Sequence, residues 1–413
     1  MDGGMKMKDI RIFAALAAVA VLFGCSRSEV PGSESGHSDK MMARATLGEG
    51  VKTHFGSGGY RLVWDKDDQI AVNSLYLGSY SDVTARAEEL MDNPQIDEKS
   101  AGIIAFFEAV YNNLDKRVLD KFTITPNGSG RQSAVFQSSL PFQSMFGKPD
   151  SAEDELFLFL PFYPAREAVD PIKAYFIPDV PEDNYIRNIP YPYINVNVPE
   201  VQDGVHYDDY QFLMGDLSIS SRQALSRTDD MLEFGDFIPL TSILEFTIAT
   251  AASISANIDY MTITLSTQQA SGEPYASDRY VIAGNAPLFF TFDEPDELRF
   301  WNRNSVPLWG SMRTTGEIAA KDGWADANGG KSMITLDFAS PVEVGNSPTS
   351  QKYYAVMIPS RCSTASDGGN PQLTFDAYNA AGDKILTKTI TTSSPEGIEE
   401  GKKYSFDLTL DSI

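Results

Sequence analysis

The stretch Tyr404-Ser405-Phe406-Asp407-Leu408-Thr409-Leu410 alternates apolar and polar residues without a break. Successive side chains of a strand point to opposite faces, so Tyr404, Phe406, Leu408 and Leu410 share one face. A sheet with one buried and one wet face demands that pattern. Ile263 and Leu265 share a face in the same way. Outward from here, short runs rich in aromatic and β-branched residues recur between Gly, Pro, Asn and Asp. Strands are predicted at 60–64, 69–72, 122–125, 134–137, 156–162, 193–198, 244–249, 261–265, 333–338, 353–358, 373–378 and 404–410. The chain reads as all-β.

Residues 99–117 break the pattern. Ile103, Phe106, Phe107, Val110, Tyr111 and Leu114 recur at helical spacing and predict one amphipathic helix lying over a sheet edge or face. Residues 218–230 are polar, and apolar runs resume at Phe234. The globular part therefore divides near residue 228 into two β domains, 45–228 and 229–413, a count that suits the chain length. No internal repeat of fixed short period is present.

The first 24 residues read as a secretory signal. Lys6, Lys8 and Arg11 supply the positive start, residues 12–23 the apolar stretch, and Leu22-Phe23-Gly24-Cys25 the close. That ending is similar to the lipobox of bacterial lipoproteins, which would make Cys25 the lipidated first mature residue. An ordinary membrane anchor is the other reading, but the apolar stretch is shorter than the roughly 20 residues that cross a bilayer. Residues 25–44 are rich in Ser, Gly and Glu and read as a flexible tether between lipid and globule. Cys362 then has no partner for an intrachain disulfide and reads as a small hydrophobe or a surface thiol.

Composition excludes several functions. Fifty-seven carboxylates against 33 Lys and Arg give a formal charge of −24, which repels nucleic acid. His37, His54 and His206 are the three histidines, and none has a carboxylate or thiol at metal-ligand spacing. No G-x-S-x-G elbow and no glycine-rich phosphate loop occurs. Asp65-Lys66-Asp67-Asp68 reads as a hairpin turn. Residues 322–329 match a calcium loop in part, lacking an acid two positions after Asp322 and a closing Glu. No cofactor, no metal and no catalytic residue is expected.

Several segments, in order, resemble the fimbrillin-like proteins of the Bacteroidales, the building blocks of surface fimbriae. Beside the lipoprotein start they are Met42-Ala43-Arg44-Ala45-Thr46, Trp64 to Val72, Phe157 to Pro164, Ile238 to Phe246, Tyr354 to Pro359, and Gly401 to Leu410. The resemblance implies two tandem transthyretin-like Greek-key β-sandwich domains, here with one short helical insertion that the family's pattern does not account for. It implies an outer-membrane lipoprotein trimmed by an arginine-specific protease and polymerised with other fimbrial subunits by donor-strand exchange. Arg44 and Ala45 are then the candidate cleavage pair, and Tyr404, Phe406, Leu408 and Leu410 the candidate donor plugs. The terminal strand reads equally as a permanent core strand, since the sequence ends three residues past Leu410. The other reading is a lipidated adhesin that binds a glycan or a host or bacterial surface protein without polymerising, with Trp301, Trp309 and Trp324 as candidate platforms.

Overall fold

The computed structural model describes residues 40–47, 64–127, 131–141, 144, 155–163, 165, 172–176, 184–207, 210, 212–215, 218–221, 231–251, 254–267, 282–293, 297–302, 330–359, 371–391, 398 and 401–413. As the period-two stretches predict, the described residues are mostly β. Cys25, Cys362, His37, His54, Trp309, Trp324 and the loop 322–329 lie outside them, as does the strand expected at 60–64 apart from Trp64.

The first sheet contains β1 (Lys40–Leu47), β2 (Gln69–Ser79), β3 (Arg117–Ile124), β4 (Ser133–Pro141), β5 (Glu155–Tyr163), β9 (Leu213–Met214), β10 (Ser218–Ser221) and β11 (Leu232–Pro239). Its order is β10-β5-β2-β3-β4-β1-β11-β9, and β9 pairs again with β5, so seven of the strands close into a ring. Ring closure removes exposed edges. The interior is filled from alternate positions: Ile70, Val72 and Tyr76 of β2, Phe157 and Phe159 of β5, Phe122, Phe136, Phe234 and Phe237. The intervening residues of β2 and β5, among them Leu75, Leu77, Leu158, Leu160 and Phe162, pack outward into a second core. Both faces of these two strands are buried, which explains their nearly continuous apolar sequences.

Two helices, not the single expected one, cover that outer face. α1 (Tyr80–Leu90) starts at Ser79, whose side chain accepts from the Asp82 amide, and α2 (Glu98–Asn112) starts at Asp97, which accepts from the Ser100 amide. Arg86 of α1 forks onto Glu108 of α2 through Nε at 2.6 Å and Nη2 at 3.0 Å. The helix expected to run to residue 117 stops at Asn112. A 3-10 turn, Leu114–Lys116, follows, and Arg117 opens β3. The Asn113 side chain donates to the Ala109 carbonyl and so occupies one of the last helical acceptors.

The second large sheet runs β18 (Tyr353–Met357), β12 (Ser242–Thr250), β21 (Lys403–Ser412), β20 (Lys384–Thr391), β19 (Pro371–Tyr378), β13 (Ala256–Thr267), β17 (Met333–Val344), β8 (Val201–Gln202). It folds over a core of Leu244, Phe246, Ile248, Met261, Ile263, Leu336, Phe375, Leu408 and Leu410. A smaller sheet joins β15 (Glu297–Asn302), β14 (Ala283–Asp293), β7 (Tyr191–Val198) and β6 (Lys173–Tyr175), with β16 (Gly330–Lys331) on β14.

Sheet membership does not change at residue 228. β11 belongs to the first ring and β12 to the second sheet, so the chain crosses over at Leu240–Thr241. Before that crossing, β7 and β8 already pair with strands of the other half. The core under the helices includes Leu240, Ile243, Val356 and Ile358 and thereby joins the two halves. The expected tether also ends early, because Lys40–Arg44 are already part of β1.

Candidate functional site

β1 is the place where the predicted processing site meets the fold. Its burial alternates strictly: Met41, Ala43, Ala45 and Leu47 are buried in the ring, with the two alanines at 0 % exposure. Lys40, Met42, Arg44 and Thr46 face outward. On one side β1 runs antiparallel to β4, pairing Ala43 with Phe136 and Ala45 with Ala134. On the other it runs parallel to β11, pairing Ala43 with Leu232 and Leu47 with Phe237. The β11 register shifts between Arg44 and Thr46, and Gly235 stands at that bulge with φ of 52°, where a side chain would be strained.

Side chains reinforce the seam. The Met41 amide donates to Ser138 Oγ at 2.9 Å, and that hydroxyl donates on to the Leu140 carbonyl. Arg44 Nη1 reaches Glu233 Oε1 at 2.7 Å across the β1–β11 pair. Burial pushes the Glu233 carboxyl above its usual range, and the Arg44 charge only partly offsets this. Beneath β1, Trp64 meets Phe136, Tyr163 and Phe237 edge to face at 5.0, 5.3 and 5.5 Å between ring centres. Trp64 is 1 % exposed and its Nε1 has no hydrogen-bond partner.

Arg44 thus lies in the middle of a strand paired on both sides. Proteases act on exposed, locally open chain, so the Arg44–Ala45 bond is accessible only when β1 is off the sheet. A cut there would separate Met41 and Ala43 from Ala45 and Leu47.

The candidate donor strand sits in its own sheet. β21 pairs parallel with β12 from Ile243↔Lys403 to Thr250↔Leu410 and antiparallel with β20. Leu408 and Leu410 are fully buried, and Phe406 stacks on Phe246 at 5.7 Å. Its polar face is clamped by Glu245 of β12, which accepts from Lys403 at 2.8 Å, Lys352 at 2.9 Å and Ser405 at 3.1 Å. Burial alone would raise the Glu245 carboxyl, but the hydrogen bonds from Lys403 and Lys352 outweigh it and hold it below the usual range.

The remaining candidates gather no second site. Asp65–Asp68 is a turn, with the Asp68 amide on the Asp65 carbonyl at 3.1 Å. His206 lies on Asp203 at the surface, and Trp301 falls in β15. Among the described residues no group of three or more metal-ligating side chains exists, and no helix is long and apolar enough to cross a membrane. A recess of about 240 Å³ between the helices and Tyr185 and Ile189 includes Arg86, which already holds Glu108 and Glu89. Sequence reasoning missed the β1 slot itself. Its signal was the alternation from Met41 to Leu47, muted because two of the four inward residues are alanine.

No family model and no curated protein matches the chain. Among solved structures it is similar to a candidate cell adhesion protein of Bacteroides uniformis, at 13 % identity over 91 % of this chain and 95 % of that one, with a TM-score of 0.34. A candidate cell adhesion protein of Bacteroides ovatus gives 14 % identity, 90 % and 91 % coverage and a TM-score of 0.37. A candidate polysaccharide-binding protein of Bacteroides thetaiotaomicron gives 8 % identity, 90 % coverage of each chain and a TM-score of 0.30.

Proposed function

We propose that this chain is a structural subunit (stalk, anchor or tip) of a cell-surface fimbrium. In this reading Cys25 carries the lipid that delivers it to the outer membrane. An arginine-specific protease releases the segment ending at Arg44, and another subunit supplies the strand that replaces it. The observation that carries the reading is β1 itself, a single strand wedged between β4 and β11 with four side chains in the ring core. Removing its residues 40–44 leaves the facing backbone donors and acceptors of β4 and β11 unpaired and opens the places of Met41 and Ala43 in the apolar core. An incoming strand satisfies both at once.

The test is to treat the intact chain with an arginine-specific protease and weigh the product. A product beginning at Ala45, which takes back a synthetic peptide of residues 39–44, is the expected result, and Arg44→Ala should abolish the trimming. A different new terminus removes the assignment of Arg44. Trimmed protein that takes up no strand at all removes the exchange role.

A second reading, an adhesin that binds a glycan without polymerising, draws on Tyr111 and Phe176. These rings are 43 % and 42 % exposed and meet edge to face at 5.4 Å. Exposed aromatic faces are suited to sugar stacking. Glycan-array binding lost in Tyr111→Ala and Phe176→Ala would favour this reading; no binding to any glycan would dismiss it.

A further inference from the structure

α1 and α2, the helices that the resemblance leaves unexplained, form one wall of a recess whose other wall is the 3-10 turn Tyr185–Asn188 with Ile189. Ile96, Ile104 and Ile189 are buried and give it an apolar lining. The bend after α1 places Ile96: its amide donates to the Asn93 carbonyl, and the Gln95 amide donates to the Asn93 side chain, both at 3.0 Å. At about 240 Å³ the recess is smaller than the roughly 300–1,000 Å³ of sites that enclose drug-sized molecules, so it admits a single small ring.

The polar groups around it are not used up by the protein. Arg86 commits three of its five N–H donors, Nε and Nη2 to Glu108 and Nη1 to Glu89, which leaves two. Each Glu108 oxygen accepts one of these bonds and keeps further acceptor capacity. Among the described residues, the Asn188 amide and the Tyr185 hydroxyl have no hydrogen-bond partner. Spare donors and acceptors therefore stand beside an apolar lining.

That combination discriminates between ligands. An anion would meet two carboxylates and would have to displace them from Arg86. A lone cation would need carboxylate oxygens that Arg86 already holds. A purely apolar ligand would cover the spare N–H groups without pairing them. A neutral ring with hydroxyls at its edge and C–H groups on its face suits both kinds of lining, and Tyr185 supplies an aromatic surface for that face.

We propose that this recess binds one neutral sugar residue of a glycan, its hydroxyls on Arg86, Glu108 and Asn188 and its C–H face against Tyr185 and the isoleucines. The site is separate from strand exchange and from the Tyr111–Phe176 pair, so either of those can fail without it.

Saturation-transfer NMR on the intact chain tests the assignment, with the methyl glycosides of glucose, galactose, mannose and N-acetylglucosamine as probes. At least one should bind. Asn188→Ala, at an exposed position where folding is not at stake, should weaken that binding tenfold or more. Tyr111→Ala with Phe176→Ala should leave it unchanged, and methyl glucuronide, which carries a carboxylate, should bind at least tenfold more weakly than the glucoside. Binding that survives Asn188→Ala and disappears in the Tyr111/Phe176 double variant overturns the inference but leaves glycan binding standing. Equal or tighter binding of the glucuronide overturns the assignment to a neutral sugar. No binding of any of the four glycosides at millimolar concentration removes the site.

Discussion

Trp64 and Glu245 show how single residues hold each half in shape. Trp64 fills the centre of the first ring, and its unpartnered Nε1 is a buried donor that contributes nothing. Trp64→Phe keeps an aromatic against Phe136, Tyr163 and Phe237 and removes that donor. It should therefore cost far less than Trp64→Ala, which opens a cavity worth about 3–5 kcal/mol. Urea denaturation of both variants would check the order. Glu245 is the opposite case, a buried charge whose partners are all in place. Its carboxyl is held below the unfolded value, so its contribution is present above about pH 4.3 and is lost as pH falls through the folded value. Glu245→Gln should flatten the acid limb of a stability–pH curve below about pH 4.3, and Lys403→Met should destabilise by about 3 kcal/mol at neutral pH by leaving a carboxylate half-paired. The apolar face of β21 was legible from alternation alone. This clamp was not, because nothing in the spacing of Glu245, Lys352 and Lys403 announces that these three segments converge.

Among the elements, the strands were the most legible and the helices the least. Every described strand expected from alternation is present, usually with longer ends, since flanking polar residues pair in the ladder without changing the apolar pattern. α1 escaped notice because Val83 and Ala87 are its buried residues, too few for a helical stripe. The expected helix over 99–117 ran on too far because Leu114 continues the spacing after the backbone has turned at Asn113. Sequence also could not show how the free side of β18 is covered. The Tyr354 amide donates to the Gly204 carbonyl, the Ile358 amide to Ile282, and the Gln202 side chain both donates to and accepts from Val356 at 2.7 and 2.8 Å. A side-chain amide here replaces a strand and protects an edge. Gln202→Leu should cost about 1–3 kcal/mol by leaving the Val356 amide and carbonyl unpaired, and thermal melts would measure it.

For the whole molecule, the boundary expected near residue 228 does not coincide with a change of sheet. The polar stretch 218–230 suggested a boundary, yet β11 beyond it completes the first ring and β7 and β8 before it serve the other half. The shared core of Leu240, Ile243, Val356 and Ile358 ties the halves. A fragment of residues 45–228, lacking β11 and most of β1, should fail to give the dispersed amide spectrum of a folded domain. First and last strands lie parallel and adjacent in both halves, β1 on β11 and β12 on β21, but the two pairs differ in role. β21 is a well-filled core strand with a buried clamp. β1 is a small-plugged strand at the start of the globule that carries the candidate cleavage bond. Backbone hydrogen exchange tests that difference most directly. The amides of β4 and β11 that face residues 40–44 should be protected in the intact chain, exchange freely once the chain is trimmed at Arg44, and regain protection when a peptide of residues 39–44 is added. Unchanged protection of β4 and β11 after trimming would contradict the account.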